Sequence, residues 1–181
     1  MSKKIMVMSF DSESKAFQAF SEIKTLHTTG KIKGEQMAVV QHVPNHILEP
    51  KDFIDFTGRD KSIKGSLIGM IIGILGGPLG VLLGWFTGSM VGSAGDVREV
   101  KGALSIFEET LKIIPEGSTG AILIAEEEKT GHLDELVNES LAGKIIRLDR
   151  TLVEEEISEA SKLEKETQEQ AKKRWFSRKE N

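Results

Sequence analysis

The chain has 181 residues, of which 39% are hydrophobic, 29% are charged and none is cysteine. This length is enough to bury one hydrophobic core and predicts a single domain with at most an appendage. The formal net charge of −4 gives no overall attraction to nucleic acid or anionic lipid, and the lack of cysteine excludes disulfide bonds and thiolate chemistry. Any contact with nucleic acid or anionic lipid must therefore be made by a local patch of the chain.

The first elements are short apolar runs and one amphipathic helix. Residues 5–10 form a β-rich run that stops at Asp11, and the following DSES can cap a helix that extends to about His27. A second strand is predicted over 37–43. The PNHILEP stretch predicts a turn, and a short third strand follows over 53–56, expected at an edge of the sheet.

The second half of the chain begins, after a Gly-rich insert, with the clearest helical pattern. Apolar residues over 97–114 recur at steps of three and four. A largely buried fourth strand is predicted over 119–128, followed by a short helix over 133–141 and a fifth strand over 144–148. A charged helix is predicted from about Leu152 onwards.

Without the insert, the elements follow the order strand, helix, strand, strand, helix, strand. This is the split β-α-β pattern of a ferredoxin-like fold, with one more helix and strand after it. The sequence therefore predicts an α+β chain in four parts. Residues 1–61 and 97–150 form the ferredoxin-like domain, residues 62–96 an inserted Gly-rich hydrophobic helical hairpin, and residues 151–181 a charged C-terminal helix.

The insert has no charged residue between Lys64 and Asp96. Both of its flanks belong to one small domain, which excludes a single membrane pass, and the GGPLG motif is where the chain would turn back. As helices, arms over 62–75 and 79–95 would measure about 21 Å and about 26 Å, less than the ~30 Å hydrocarbon core. The expected structure is a shallow hairpin in one leaflet, or one buried in an assembly, unless local thinning of the bilayer allows two spans.

Glycines recur at every fourth position of the insert in two ladders. Each interior glycine costs about 1 kcal/mol of helix stability relative to alanine, and close backbone packing compensates for this cost. The packing joins the two arms, several copies of the chain, or both. The positions predicted to mediate membrane insertion and oligomerisation are Gly65, Gly69, Gly73, Gly76, Gly77, Pro78, Gly80, Gly84, Gly88 and Gly92.

The C-terminal KKRWFSRK is the one local basic patch, and it includes two aromatic residues. Basic side chains are attracted to anionic headgroups, and aromatic rings prefer the membrane interface. RNA contact is the alternative to lipid. Taken alone, the patch favours a frayed, solvated tail, but a neighbouring membrane-seeking hairpin adds weight to lipid. An RNA-binding module is disfavoured because the strands lack the aromatic pairs that stack on bases. The predicted membrane-surface residues are Lys172, Lys173, Arg174, Trp175, Phe176, Arg178 and Lys179.

The sequence contains no pattern that predicts catalysis. The glycines lack the Lys-Ser/Thr of a P-loop and the strand and acidic residue of a dinucleotide-binding fingerprint. His42 and His46 have zinc-like spacing, but the Pro-Asn between them predicts a turn with solvated histidines. We therefore expect a non-enzymatic protein with no cofactor, no metal ion and no identifiable small-molecule substrate.

The stretch GSLIGMIIGILGGPLGVLLGWFTGSMVGSAGD, with DFTGRDKSIKG before it and PEGSTGAILIAEE after it, resembles a widespread bacterial family of uncharacterised predicted membrane proteins. This family is known only as a domain of unknown function. The resemblance covers roughly Lys4 to Leu148, and the tail after Thr151 lies outside it. It implies that the hairpin mediates membrane association or oligomer formation, and it implies no activity.

The expected function is accordingly that of a self-associating, membrane-associated protein on the cytoplasmic side of the cell membrane. The N-terminal apolar run is too short for a secretory signal, which favours a chain that faces the cytosol. The alternative is a soluble homo-oligomeric scaffold in the cytoplasm, a ring or a filament, whose hairpins are buried between subunits. Detergent-free particle mass distinguishes the two.

Overall fold

The computed structural model describes residues 3–44, 47–59, 62–76, 109–110, 112–129 and 131–179. The chain has an α+β fold with one five-stranded antiparallel sheet. The strands are β1 (Lys4–Phe10), β2 (Ile32–Val43), β3 (Ile47–Asp55), β4 (Thr119–Glu127) and β5 (Lys144–Asp149). The helices are α1 (Glu13–Thr28), α2 (Leu67–Leu75), α3 (Gly131–Asp134), which continues as a π-helical segment (Glu135–Ser140), and α4 (Arg150–Lys179).

The strand order is β3-β2-β4-β1-β5, and every neighbouring pair is antiparallel. The prediction that the third strand lies at an edge is confirmed. However, β3 begins at Ile47, within the stretch that was predicted to be a turn. It includes Pro50 because an edge strand can lack one N–H donor, and the register with β2 shifts between Val39 and Val40 at this point. The second strand likewise starts earlier than predicted, at Ile32.

The position beside β1 belongs to β4 and not to β3. If the first four strands followed the predicted split β-α-β order, β3 would lie between β1 and β2. Instead β4 pairs with both of them, and β3 pairs only with β2. The order of elements along a chain does not fix the order of strands in a sheet, so this arrangement had to come from tertiary packing.

Each face of the sheet has its own hydrophobic cluster. In β1, Ile5 and Val7 point to one face and Met6 and Met8 to the other, and all four are buried. Burial on both faces explains why this strand is continuously apolar, without the alternation of a half-exposed strand. Helix α1 and the α3 segment cover the Met6 face, and helices α2 and α4 cover the Ile5 face.

Helix α2 belongs to the core. It coincides with the end of the predicted first arm of the hairpin, although it begins at residue 67 rather than 62. Its apolar side chains pack in the same cluster as the strands and as Val153, Ile157 and Ala160 of α4. The buried residues of α2 are Leu67, Ile68, Ile71, Ile72, Ile74 and Leu75.

Several predicted elements match the structure closely. The first helix, the fourth and fifth strands and the charged terminal helix all occur where the sequence indicated. The helix predicted over 97–114 lies mostly outside the described residues, as does the second arm of the hairpin. The division of the chain into four parts stays a prediction.

Candidate functional site

The entrance to the predicted hairpin is a capped helix start. The Ser66 hydroxyl accepts a hydrogen bond from the backbone N–H of Gly69 at 3.0 Å and donates one to the backbone oxygen of Ile63 at 2.8 Å. Serine at this position satisfies a backbone donor that the first turn of the helix leaves open. Gly65, just before it, has a φ of +91° in the left-handed region, which glycine adopts without strain.

The glycines of the first ladder have different environments. A Cβ atom placed on Gly69 would overlap the backbone oxygen of Ile63, so the turn before α2 packs directly on this position. A Cβ placed on Gly73 would have no described atom within 4 Å. Gly76 is the C-cap of α2 and lies near Ile47. Of the other predicted hairpin positions, six lie outside the described residues: Gly77, Pro78, Gly80, Gly84, Gly88 and Gly92.

Two residues that flank the second part of the insert lie at one end of the sheet, which we call the exit end and which contains Val43, Ile47 and Thr119. At Gly76, a Cβ would lie 3.7 Å from a methyl group of Ile47. On the other flank, the backbone oxygen of Ile114 accepts a hydrogen bond from His42. His42 is the register partner of Leu48, next to the Val43–Ile47 pair. Gly76 and Ile114 therefore lie beside the same pair of strands.

The opposite end of the sheet, the ion-paired end, carries several salt bridges. Glu35 accepts from Lys3 at 2.6 Å and from Arg150 at 2.8 Å. Burial alone would raise the pKa of Glu35, but hydrogen bonds from these two cations and their positive charge outweigh it, so the pKa lies below its ordinary value of 4.5. Lys4 pairs with Asp149 at 2.9 Å.

Arg147 forms a second network at this end. Its guanidinium donates to both carboxylate oxygens of Glu127, at 2.7 Å and 3.1 Å, and to Asp134 at 2.9 Å. The hydrogen bonds to Glu127 are the main reason that the pKa of Arg147 is raised, because they favour the charged form. Such a forked pair holds β5, β4 and α3 in fixed positions.

A cleft of about 400 Å³ opens between α2, α4 and the start of β2. Its apolar floor includes Met70, of which 43% is exposed. On its polar rim, Arg150 donates to Glu35 and to Glu154, each at 2.8 Å. The lining residues are Glu35 and Gln36 from β2, Leu67 and Met70 from α2, and Arg150, Glu154 and Ile157 from α4.

The sequence did not predict this cleft, because its walls come from three elements that are distant in the chain. The one local signal was the spacing of Arg150 and Glu154, four residues apart on a helix, which is typical of an ion pair.

The basic aromatic tail lies on the last turns of α4. This helix packs on the sheet up to Leu163, and every described side chain from Lys165 to Ser177 is exposed. Trp175 is 55% exposed and Phe176 is 61% exposed, with their rings edge to face at 5.2 Å. Lys172 and Lys173 are exposed beside them. Arg174, Arg178 and Lys179 belong to the same helix.

The histidine prediction needs a correction. His42 is only 2% exposed and lies within β2, so it is not a solvated turn residue; His46 lies outside the described residues. Among the residues that the structure describes, no group of three or more His, Asp or Glu side chains is placed to hold a metal ion. Over the same residues, no helix combines the length and apolar character required to span a membrane.

Comparisons with known proteins found no match. No protein-family model, no curated protein and no solved structure matches this chain.

Proposed function

We propose that the protein is a non-enzymatic, membrane-associated and self-associating protein that inserts, oligomerises or does both through its Gly-rich insert. The observation that carries this proposal is the position of two residues that flank the second part of the insert. Gly76 and Ile114 both lie at the exit end of the sheet, and the sequence has no charge from Gly65 to Gly95. An uncharged sequence whose described flanks lie at one side of a charged domain suits a local apolar environment, either lipid or a second copy.

The direction in which α2 and α4 run along the sheet supports this assignment. Helices α2 and α4 both begin at the ion-paired end, where Ile68 N–H donates to Gln36 and Arg150 donates to Glu35. Because Val153, Ile157 and Ala160 are buried against the sheet, α4 runs away from this end, and Trp175 and Phe176 lie beyond its packed half. The C-terminal end of α2 and the tail are thus both remote from the ion-paired end, so one anionic membrane surface on the cytoplasmic side can receive the tail and the sequence that follows Gly76.

A ferredoxin-like origin of the sheet belongs to the same proposal. Strand β4 lies between β1 and β2, which α1 connects, and β1 lies between β4 and β5, which the α3 segment connects. Two interleaved β-α-β units of this kind are the hallmark of a ferredoxin-like sheet. In this assignment, β3, α2 and the Gly-rich hairpin are all inserted between the second and third strands of the ferredoxin-like unit.

The second candidate function is a soluble homo-oligomeric scaffold, in the form of a ring or filament. Gly73 favours it, because no described atom of the same chain lies within 4 Å of a Cβ placed there. Such a position leaves backbone surface for close approach by another helix.

Cell fractionation and detergent-free sedimentation test the proposal. We expect the wild-type chain in the membrane fraction and, after extraction, in particles larger than a monomer. Gly84→Leu combined with Gly88→Leu should weaken assembly, because bulk on the ladder separates packed backbones. The matched control is Val81→Leu with Val91→Leu, which adds apolar volume without removing glycine. A large soluble particle would select the scaffold, and a soluble monomer would overturn both functions.

A further inference from the structure

The cleft and the tail occupy the same face of helix α4. Ile157 in the cleft and Trp175 in the tail are 18 residues apart, which is about five turns at 3.6 residues per turn. Glu154 and Lys172 have the same separation. Each pair therefore lies on one line along the helix, about 27 Å apart at 1.5 Å per residue.

The chemistry of the cleft matches that of the tail. The floor is formed by Leu67, Met70 and Ile157, and a methionine thioether makes favourable contacts with aromatic rings. The carboxylates of Glu35 and Glu154 stand at the rim, where both pair with Arg150. An aromatic side chain flanked by ammonium groups can place its ring on this floor and its charges over the acidic part of α4 that follows the rim.

The tail provides such a group, and charge along α4 is arranged to match. Trp175 and Phe176 are the most exposed large apolar side chains among the described residues, and Lys172 and Lys173 are exposed next to them. In sequence, residues 154–169 contain seven glutamates and two lysines, whereas residues 170–179 contain five basic residues and no acidic one. Two such helices attract each other when they are antiparallel, because the acidic half of each then faces the basic half of the other.

The tail cannot reach the cleft of its own chain. Both belong to one continuous helix from Arg150 to Lys179, and the axial distance of about 27 Å is fixed by helix geometry. A tail can therefore enter the cleft only from another molecule. A two-fold axis near residue 166, midway between Ile157 and Trp175, places each tail beside the other cleft, and a two-fold interface requires both patches on one helix face.

We propose that, in the absence of a membrane, two copies of this chain pair through antiparallel α4 helices, with Trp175 and Phe176 of each copy seated in the Met70 cleft of the other. This contact rests on the proposed self-association and names one of its surfaces. It does not use the part of the Gly-rich insert that follows α2, which the proposed function assigns to lipid or to further copies.

Cross-linking of mixed full-length variants tests the contact, because the natural chain has no cysteine. One preparation carries Met70→Cys and a size tag, and the other carries Phe176→Cys, so that Trp175 is kept. A short bismaleimide reagent is added in vesicle-free buffer. The control replaces Met70→Cys with Ser21→Cys, an exposed position on α1, which covers the opposite face of the sheet. We expect at least about tenfold more hetero-dimer from the Met70 pair than from the control, because docking raises the local thiol concentration far above bulk.

A charge-reversal series gives an independent readout. Lys172→Glu with Lys173→Glu in the Phe176→Cys chain should reduce the yield to the control level. Glu159→Lys in the Met70→Cys chain should restore part of it, because the two-fold axis near residue 166 places exposed Glu159 level with Lys173 of the other copy. Equal yields from the Met70 and Ser21 pairs would overturn the docked tail. If the wild-type particle is nevertheless larger than a monomer, the proposed self-association stands without the docked tail. A wild-type protein that is monomeric at every concentration would overturn both the docked tail and the proposed self-association. A tail that binds anionic vesicles but gives no excess cross-linking in their absence also overturns the proposal, and assigns the tail to lipid.

Discussion

His42 Nδ1 lies 2.5 Å from the backbone oxygen of Ile114, in a pair of residues that are 72 positions apart in the chain and both buried. Because a carbonyl oxygen only accepts, Nδ1 carries the proton and donates. The bond ties the exit end of β2 to the point where the chain returns to the sheet, and the adjacent backbone reinforces it. The Gly117 N–H donates to the His42 oxygen at 2.7 Å, and the His42 N–H donates to the Ser118 oxygen at 2.9 Å.

Replacing His42 should therefore destabilise the whole domain. His42→Leu keeps an apolar side chain but leaves the buried Ile114 oxygen without its donor, at a cost of about 1–3 kcal/mol. Urea unfolding followed by circular dichroism measures the change. The control is His132→Leu, at a half-buried position on α3, which should cost clearly less. Equal losses at the two sites would show that the buried hydrogen bond contributes little.

Gly69 and Gly73 should respond in opposite ways to alanine. Gly69→Ala places a methyl group against the Ile63 oxygen and should cost roughly 1–3 kcal/mol, as overpacked sites do. Gly73→Ala adds a methyl group with no described atom within 4 Å and should stabilise α2 by up to about 1 kcal/mol. If Gly73 also packs against another copy, the same variant will sediment as a smaller particle. A loss of folding stability in Gly73→Ala would contradict the expectation that the methyl group is accommodated without a clash.

Deletion of the insert should depend on where the deletion begins. Removing residues 66–93 takes away α2, whose six buried apolar side chains each contribute about 1.5–3 kcal/mol. Their sum is comparable to the whole stability of a typical domain, about 5–15 kcal/mol, so we expect this variant to be unfolded. Removing only residues 78–93 should leave a folded chain, with a short flexible linker joining the cut ends in both deletions. Thermal unfolding compares them, and a folded 66–93 deletion would show that α2 is dispensable.

The stability of the fold should fall in acid because the carboxylate of Glu35 becomes protonated. A carboxyl group whose pKa is lowered by folding contributes stability above its unfolded pKa, ordinarily 4.5, and loses that contribution as the pH falls through the lower, native pKa. Glu35→Gln should thus cost about 0.5–1 kcal/mol at pH 7, a value typical of partly exposed pairs. This cost should disappear below the native pKa. Urea unfolding at several pH values measures this cost. Lys3→Met, alone and combined with Glu35→Gln, shows how much of the cost comes from the Lys3–Glu35 ion pair. A pH-independent cost would contradict the ion-pair origin.

The tail should add a salt-sensitive attraction to anionic lipid. Each lysine near such a surface contributes up to about 1 kcal/mol, so Lys172→Glu with Lys173→Glu should reduce flotation with anionic vesicles at low salt. Wild type should approach the variant as salt screens the charges. Neutral vesicles serve as the control. Identical flotation of both proteins at low salt would leave the insert as the only candidate anchor.

Much of the local structure was predictable from the sequence. The continuous apolar runs of β1 and β4 indicated buried strands, the periodicity of α1 indicated an amphipathic helix, and the charge density of α4 indicated an exposed one. These patterns depend on neighbours within a few residues, so the chain specifies them locally. The edge position of β3 was predicted as well, although Pro50 was assigned to a turn and only the structure places it within this strand.

The tertiary structure decided everything that depended on distant partners. Whether β3 or β4 lay beside β1 depended on packing, because every strand of this sheet pairs antiparallel with its neighbours and the chain order permits either arrangement. The apolar run that contains α2 suggested an excursion from the domain, yet its first nine helical residues pack on the sheet beside α4. An apolar side chain is driven out of water by lipid, by a second copy and by its own core alike. Its composition thus determined that α2 would be buried, and only the folded chain determined where.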